Sequence, residues 1–272
     1  MSDITNKTYR KLALRVGNDG FSFAVTDTLS RRVTAFERVD FPASAAIGSP
    51  EKTEGYYWDA FVRHPELVRP YDEVVVLHDN PLNTFVPEPL FDEEAAAGYL
   101  QYGTRVFASD TFAHDLLQPQ AMVNVYIPYA HINNYLLDQF ESFDYRHSAS
   151  VLVPRLLDLS RNDYSRQVFA HFSEAVVEII VAQNGQLLFY NVFDFVSPED
   201  FLYYLLFAAE QLSLNPEEFP LRLLGDVTDA SPLFSIAYRY VRNVLLLDTS
   251  ALSDLTGVDA AFARRHFIVF QA

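Results

Sequence analysis

QVFAHFSEAVVEIIVAQNGQLLFYNVFDF, residues 167–195, is the stretch that decides the fold. It predicts three consecutive strands, because short polar breaks separate the apolar runs Val168–Phe172, Val176–Ala182 and Leu187–Phe195. The second break contains Asn184-Gly185, a dipeptide typical of the two-residue turn of a β-hairpin. Large apolar side chains lie on both faces of the third strand, so we expect this sheet to be covered on both sides.

A second triplet of strands is predicted earlier in the chain, near residues 12–41. Leu12–Val16 is followed by the turn-forming residues GNDG at 17–20. Phe21–Thr26 then alternates in hydrophobicity, as does Val33–Phe41 after another short turn. The two triplets share their order but not their sequence, so they indicate an internal repeat of architecture.

Each triplet is followed by the same order of helices and short buried strands. After the second triplet, Ser197-Pro198 begins a helix with a capping serine and a proline in the first turn. That helix is apolar nearly all round, so we expect it to be buried between layers. The segments predicted here are helices at Thr53–His64, Pro198–Leu212 and Pro232–Tyr240, and strands at Glu73–Leu77, Leu221–Leu224 and Val244–Leu247.

The sequence therefore predicts an α/β protein of two β-β-β-α-β-α-β halves facing a cleft, with helical crossovers that extend each sheet in parallel. Residues 1–160 form the first half, with an inserted α/β segment near 90–140, and residues 161–272 form the second. The polar segment Ser160–Arg166 is too short to be a flexible tether, so the halves should pack together. The other predicted elements are helices at Glu93–Gln101, Ile132–Phe140 and Val151–Leu159, and strands at Thr104–Ala108, Val123–Ile127, Tyr145–Ser148 and within Arg264–Ala272.

Composition excludes several classes of function. The 272 residues include 36 acidic and 20 basic side chains, a net charge of −16 that repels a phosphate backbone, so we expect no nucleic-acid binding. The chain has no cysteine, and its seven histidines lack ligand spacing, so no metal site is predicted. The longest apolar run, Phe201–Ala209, is too short to span a bilayer, and the N-terminus shows no signal-peptide pattern. We therefore expect a cytoplasmic protein without membrane insertion.

A doubled β-β-β-α-β-α-β unit with a central cleft resembles the actin-like ATPase fold, a ribonuclease H-like fold shared by actin, sugar kinases and heat-shock-70 chaperones. The opening LALRVGNDGFSFAV, residues 12–25, and the second triplet are more specifically similar to the bacterial domain-of-unknown-function family 3822. Members of that family have the actin-like architecture and no established activity.

The resemblance implies three elements that bind nucleotide in active members of the superfamily. Two are glycine-rich turns, one after the first strand of each triplet, and an aspartate lies just before each turn. The backbone amides of the turns hold the phosphates. The third is a Gly-Gly turn at a strand end in the second half, which lets adenosine approach the backbone.

This sequence departs from that pattern at each element. In the first triplet Arg15 replaces the expected acid, although the turn Gly17-Asn18-Asp19-Gly20 keeps two glycines. The second turn, Phe172-Ser173-Glu174-Ala175, has no glycine and offers a carboxylate where a phosphate should lie. The third, Leu224-Gly225-Asp226, keeps one glycine. ATP hydrolysis is therefore not expected.

Four other features have both a functional and a structural interpretation. His171 is interpreted as a core or edge histidine rather than a base. His78-Asp79-Asn80 follows a buried strand at the end where α/β sheets place ligands, but a polar turn before Pro81 is favoured. Asp226 and Asp229 could bind a metal or a basic peptide, although capping of the helix near Pro232 is favoured. Asn83–Phe91 could be an exposed edge for a partner, although a packed loop is favoured.

Three functional hypotheses remain, and one of them is a homo-oligomeric scaffold. The leading hypothesis is a non-catalytic actin-like protein with degenerate nucleotide loops and no cofactor, which acts by binding an unknown protein partner. The alternative is a divergent ATP-binding protein or kinase that uses magnesium. Its cofactor-binding residues would be Gly17, Asn18, Asp19, Gly20, Gly225 and Asp226.

Overall fold

The computed structural model describes residues 7–42, 50–249 and 257–272. The first half contains β1 (Arg10–Val16), β2 (Gly20–Asp27), β3 (Arg32–Asp40), α1 (Pro50–Arg63), β4 (Glu73–His78), β5 (Asn83–Pro87), α2 (Ala96–Leu100), β6 (Ala113–Leu117), β7 (Met122–Tyr126), α3 (Ala130–Gln139), β8 (Asp144–His147) and α4 (Ala149–Leu159). The second contains β9 (Gln167–Ser173), β10 (Val176–Gln183), β11 (Gln186–Asp194), α5 (Pro198–Gln211), β12 (Pro220–Gly225), α6 (Pro232–Tyr240), β13 (Asn243–Leu246), α7 (Ala260–Arg265) and α8 (Phe267–Gln271). Short 3₁₀ helices lie at Pro65–Val68, Glu88–Leu90 and Glu93–Ala95.

The two halves repeat one sheet topology. The described strands of the first half are ordered β3-β2-β1-β4-β8, and those of the second β11-β10-β9-β12-β13. In each, the triplet is antiparallel and the next two strands extend the sheet in parallel. Strands β5, β7 and β6 form a separate antiparallel sheet inserted after β4. The predicted α/β class and β-β-β-α-β-α-β order are confirmed.

The hairpin that decides the fold forms as predicted. Asn184 has φ 49° and Gly185 has φ 78°, so both central residues adopt the left-handed backbone that this tight turn requires. Strands β9 and β10 are buried along nearly their whole length. The outer strand β11 alternates between exposed and half-buried residues, so the expectation that both faces are covered holds for β9 and β10 only.

A shared core fills the space between the two five-stranded sheets. Helix α4 supplies Leu152 and Leu156, and α8 supplies Phe267 and Ile268, all fully buried. These side chains contact strands of both halves, including β4 and β9. Helices α1 and α3 cover the other face of the first sheet, and α5 and α6 cover that of the second. The halves are therefore joined by a continuous apolar core.

The C-terminal strand prediction is wrong. The described residues after 257 form α7 and α8, and the consecutive residues Phe267, Ile268, Val269 and Phe270 are all buried. A short helix enclosed on every side shows no helical periodicity, so the four-residue apolar run 267–270 cannot be distinguished by its sequence from a buried strand.

Three other expectations differ from the structure. Helix α5 is not buried all round, since Tyr203 is 63% and Phe207 47% exposed on the face turned away from the sheet. The strand predicted at Thr104–Ala108 is absent from that described segment and lies instead at Ala113–Leu117. Asn83–Phe91 is not a packed loop, because its first five residues form β5. Among the described residues no helix is long and apolar enough to cross a membrane.

Candidate functional site

A cavity of about 290 Å³ lies in the cleft where the β1–β2 turn of the first half meets the β9–β10 turn of the second. Gly17, Asn18, Asp19, Gly20 and Asp226 all line it, so the structure brings together these sequence-predicted residues. Gly225 is not among the lining residues. The side of the second half that faces the cavity includes Phe172, Ser173, Glu174 and Ala175.

Arg15, which replaces the expected acid, forms an ion pair at the base of the cleft. Its guanidinium lies 2.7 Å from a carboxylate oxygen of Asp79, at the end of β4, and donates to the Ser173 hydroxyl across the cleft at 2.9 Å. Ser148 donates to the other oxygen of Asp79 at 2.7 Å. Burial raises the pKa of Asp79, but Arg15 and Ser148 outweigh it and hold that pKa below its usual value.

Arg38 forms a second connection across the mouth of the cleft. It extends from β3, beside the first turn, and donates to Asp19 at 3.1 Å and to Glu174 of the second turn at 2.6 Å. Its Nε also donates to Asp40 at 2.5 Å. Both turns that would hold phosphates are therefore tied to one guanidinium by their acidic side chains.

Glu174 is held in an acidic environment. Burial and the nearby Asp19 carboxylate raise its pKa, although Arg38 acts in the opposite direction. A phosphate group placed between the two turns would add negative charge beside these carboxylates. It would also have to displace Arg38 from its partners. The residues present therefore do not fit a phosphate between the turns in this arrangement, because Arg15, Arg38 and Arg265 are each paired with a carboxylate.

Two of the predicted cofactor glycines are required by the backbone. A Cβ on Gly225, where φ is +84°, would lie 2.1 Å from the carbonyl oxygen of Phe172 on β9, and a Cβ on Gly20 would lie 2.1 Å from the carbonyl oxygen of Val39. The amide of Asp226 donates to Phe172 O at 2.8 Å. Close approach to a neighbouring strand explains both glycines without a ligand.

The carboxylate of Asp226 pairs with Arg265 of α7 at 2.9 Å. Helix α6 is instead capped by Ser231, whose hydroxyl accepts from the amide of Phe234. The favoured capping role of Asp226 and Asp229 is therefore wrong.

The core interpretation of His171 is confirmed. Its side chain is buried on β9, and its Nδ1 lies 2.7 Å from Glu178 Oε2, while the Tyr190 hydroxyl donates to Glu178 Oε1 at 2.8 Å. The favoured turn interpretation of His78-Asp79-Asn80 holds only for Asn80, whose side chain accepts from the Leu82 amide. His78 is buried, which lowers its pKa to about 3. Asp79 faces the cleft.

Sequence reasoning missed Arg38 and Arg265. Arg38 lies in the third strand of its triplet, nineteen positions after Asp19, and only the register that pairs it with Ser22 of β2 brings it to the cleft. Arg265 lies in the segment misread as a strand. Asp79 had a usable signal, its place at the carboxyl end of a parallel strand. Among the described residues no group of three histidine, aspartate or glutamate side chains could hold a metal ion.

Comparison with known proteins agrees with this architecture. No curated protein matches the chain. A Bacteroides thetaiotaomicron protein described as having an actin-like ATPase fold and unknown function superposes with a TM-score of 0.78 at 22% identity, covering 91% of this chain and 94% of its own. The PilM-PilN type IV pilus biogenesis complex superposes at 0.56 with 12% identity, covering 95% and 96%. Residues 2–244 match the family described as "Protein of unknown function (DUF3822)", and the chain belongs to that family.

Proposed function

We propose that this protein is a non-catalytic, cytoplasmic member of the actin-like ATPase fold that acts by binding a protein partner. The observation that carries the proposal is the position of Arg38, which bonds to Asp19 of the first turn and to Glu174 of the second. In an active nucleotide site these turns hold phosphates through backbone amides. Here their side chains are bonded to each other through an internal cation.

Charge supports the same conclusion. Among the described residues, Arg15, Arg38 and Arg265 are the arginines that line the cavity, and each already pairs with a carboxylate of Asp79, Glu174 or Asp226. A nucleotide would have to break these pairs and leave the carboxylates facing its own phosphates. Such like-charge contacts are unfavourable, and solvent reduces the effect at Glu174 and Asp226, which are 59% and 50% exposed.

A fold that has lost its nucleotide can still present a stable surface to another protein. The apolar core around α4 and α8 joins the two halves without any ligand. The similar PilM structure is part of a complex with a second protein, PilN, so the fold has a precedent for partner binding. This support is by analogy of fold.

The alternative, a divergent ATP-binding protein or kinase, is favoured by one observation. A cavity of about 290 Å³ remains between the turns, lined by Gly17, Asn18, Asp19, Gly20 and Asp226. In that case Arg38 would have to swing away, so that the first turn could hold phosphates and the carboxylates magnesium.

Thermal unfolding with and without nucleotide separates the two. We expect MgATP and MgADP at about 1 mM to leave the unfolding midpoint of the wild type unchanged. A ligand that binds the folded state raises this midpoint, so a protein that does not bind nucleotide shows no shift. Asp19→Asn is the test variant, and Gly98→Ala is the control, since Gly98 lies outside the cavity and its new Cβ would meet nothing within 4 Å. A rise of several degrees in the wild type that Asp19→Asn abolishes would refute the proposal and support the alternative.

The partner is addressed by affinity capture of the tagged full chain from its native host, followed by mass spectrometry. We expect a protein retained in stoichiometric amount, with and without added nucleotide. Retention that requires MgATP would contradict a nucleotide-independent mode of binding.

A further inference from the structure

A groove of about 500 Å³ lies between the inserted sheet and the second half, next to the cleft, with which it shares Pro81 and Val192. One wall is strand β5 and the other is strand β11. Phe85 of β5 and Tyr190 of β11 meet edge-on with ring centroids 4.8 Å apart, and the Tyr190 hydroxyl lies 3.2 Å from Asn83 Oδ1. The edge-on ring contact joins the two walls, and we call the space the edge groove.

Strand β11 has an open edge on this groove. Among the described strands it pairs with β10 only. The backbone hydrogen bond from Phe195 N to Ala175 O shows that the backbone groups of the odd-numbered residues in this part of the strand face β10. Because alternate residues of an antiparallel strand bond to opposite sides, the backbone groups of Tyr190, Val192 and Asp194 face outward. The Val192 amide donates to the Asn191 side chain, so Tyr190 and Asp194 offer the outward amides.

Strand β5 is also an edge strand. Among the described strands it pairs with β7 only. Backbone hydrogen bonds from Ile127 N to Leu82 O and from Glu88 N to Ala121 O show that the backbone groups of the even-numbered residues of β5 face β7. The backbone groups of Asn83, Phe85 and Pro87 therefore face away from β7, and Pro87 has no amide to donate. Strand β11 is thus the better acceptor of a new strand.

The lining of the groove indicates what would pair with it. Asp194 is the one side chain with a formal charge among the described lining residues, and most of the others are apolar, such as Leu82, Met122 and Leu188. An exposed strand edge is normally protected by lysine, proline or a covering segment, because it otherwise pairs with another chain. Here Asp194 lies at one end of the open stretch of a chain whose net charge is −16, so a cationic residue on the ligand would be complementary.

We propose that the edge groove binds an extended segment of a partner protein, which adds a strand to β11. The segment would be apolar at alternate positions and would place a lysine or arginine near Asp194. Main-chain hydrogen bonds would supply affinity and the groove would select the alternate side chains, as in other cases of strand addition. The inference gives the proposed partner a binding site but does not depend on whether the cleft binds nucleotide.

The test is selection of a displayed library of random decapeptides against the full chain, followed by fluorescence anisotropy of the enriched peptides. We expect enriched peptides with alternating apolar residues and one basic residue. N-methylation of one alternate set of their amides should weaken binding at least tenfold, and N-methylation of the other set should have a smaller effect.

Protein variants locate the binding to β11. Asp194→Pro removes an outward amide and the charge, and Asp194→Asn removes the charge alone. Val192→Pro is the matched control, since its amide is already bonded to Asn191, and an edge strand tolerates proline at outward positions. We expect Asp194→Pro to weaken peptide binding most, Asp194→Asn less and Val192→Pro least, each measured well below the thermal midpoint of that variant.

Three results would overturn the inference: no enriched peptide, equal sensitivity to both N-methyl sets, or binding unaffected by Asp194→Pro. A concentration-dependent doubling of mass in light scattering that Asp194→Pro abolishes would also overturn it, since a second copy would then fill the groove. Nucleotide binding by the cleft would refute the proposed function and leave this inference standing.

Discussion

Replacing Arg15 by methionine tests the internal pairing at the base of the cleft. Methionine keeps much of the length of the side chain but removes the guanidinium that bonds to Asp79 and Ser173. Arg15 is 14% exposed and Asp79 30%, so the carboxylate left behind is partly desolvated and keeps Ser148 as a neutral donor. We expect the free energy of unfolding to fall.

The magnitude follows from that partial burial. Loss of one partner of a charged hydrogen bond costs about 1.5–3 kcal/mol, and a fully buried pair costs more. Solvent at Asp79 reduces the effect, so we expect about 2 kcal/mol at pH 7. For a chain of this size that corresponds to a fall of roughly 4–8 °C in the unfolding midpoint.

A double-mutant cycle and a pH series complete the assay, with urea denaturation of Arg15→Met, Asp79→Asn and the double variant. We expect the double variant to be more stable than the sum of the single losses implies, because no unpaired carboxylate remains.

Since the pKa of Asp79 is lowered below 3.8 in the folded state, its pairing contributes fully above that value. The difference between wild type and Arg15→Met should therefore be constant above about pH 5 and shrink as the pH falls below about 4. Additive single effects, or a loss at pH 7 under about 0.5 kcal/mol, would refute the reasoning.

Three other variants test the packing and charges around the cleft. Gly225→Ala should lower the free energy of unfolding by about 3 kcal/mol or more, because its Cβ would overlap the Phe172 carbonyl at a position with positive φ. Gly98→Ala has open space around its Cβ and should not lower this free energy in the same urea denaturation. Glu174→Gln should be at least as stable as the wild type at pH 7, because the pKa of Glu174 is raised above 4.5 in the folded state and folding therefore favours the protonated form. The difference in stability should vanish below about pH 4. A clear loss of stability at pH 7 would contradict this prediction. Leu156→Ala, in the core between the sheets, should lower the free energy of unfolding by about 2–5 kcal/mol, and the exposed Leu137→Ala should lower it by less than about 0.5 kcal/mol. Equal losses of the two variants in calorimetry would argue against a core that joins the halves.

Local chemistry explains which parts of the fold could be predicted from the sequence. Asn184-Gly185 specifies its turn through the positive φ that both residues tolerate, and Ser197-Pro198-Glu199-Asp200 specifies a helix start that forms a complete capping box. Such signals depend on neighbours in the chain. They locate the repeated units, and the repeat then identifies the fold.

The remaining features depend on contacts between distant residues. Arg38 reaches Glu174 across 136 positions, and nothing local to either residue indicates that pairing. The exposure of Tyr203 on α5 depends on what covers the second sheet, and the helical form of residues 267–271 depends on enclosure by both sheets. Sequence reasoning identified the acid in the second turn but could not supply the cation that binds it.

The most direct test of the central claim is a crystal structure of the wild type grown with about 5 mM MgATP, a concentration that would fill even a site of millimolar affinity. We expect Arg38 to remain bonded to Asp19 and Glu174, with no nucleotide between the two turns. Triphosphate density between the turns, with Arg38 displaced from both carboxylates, would contradict it.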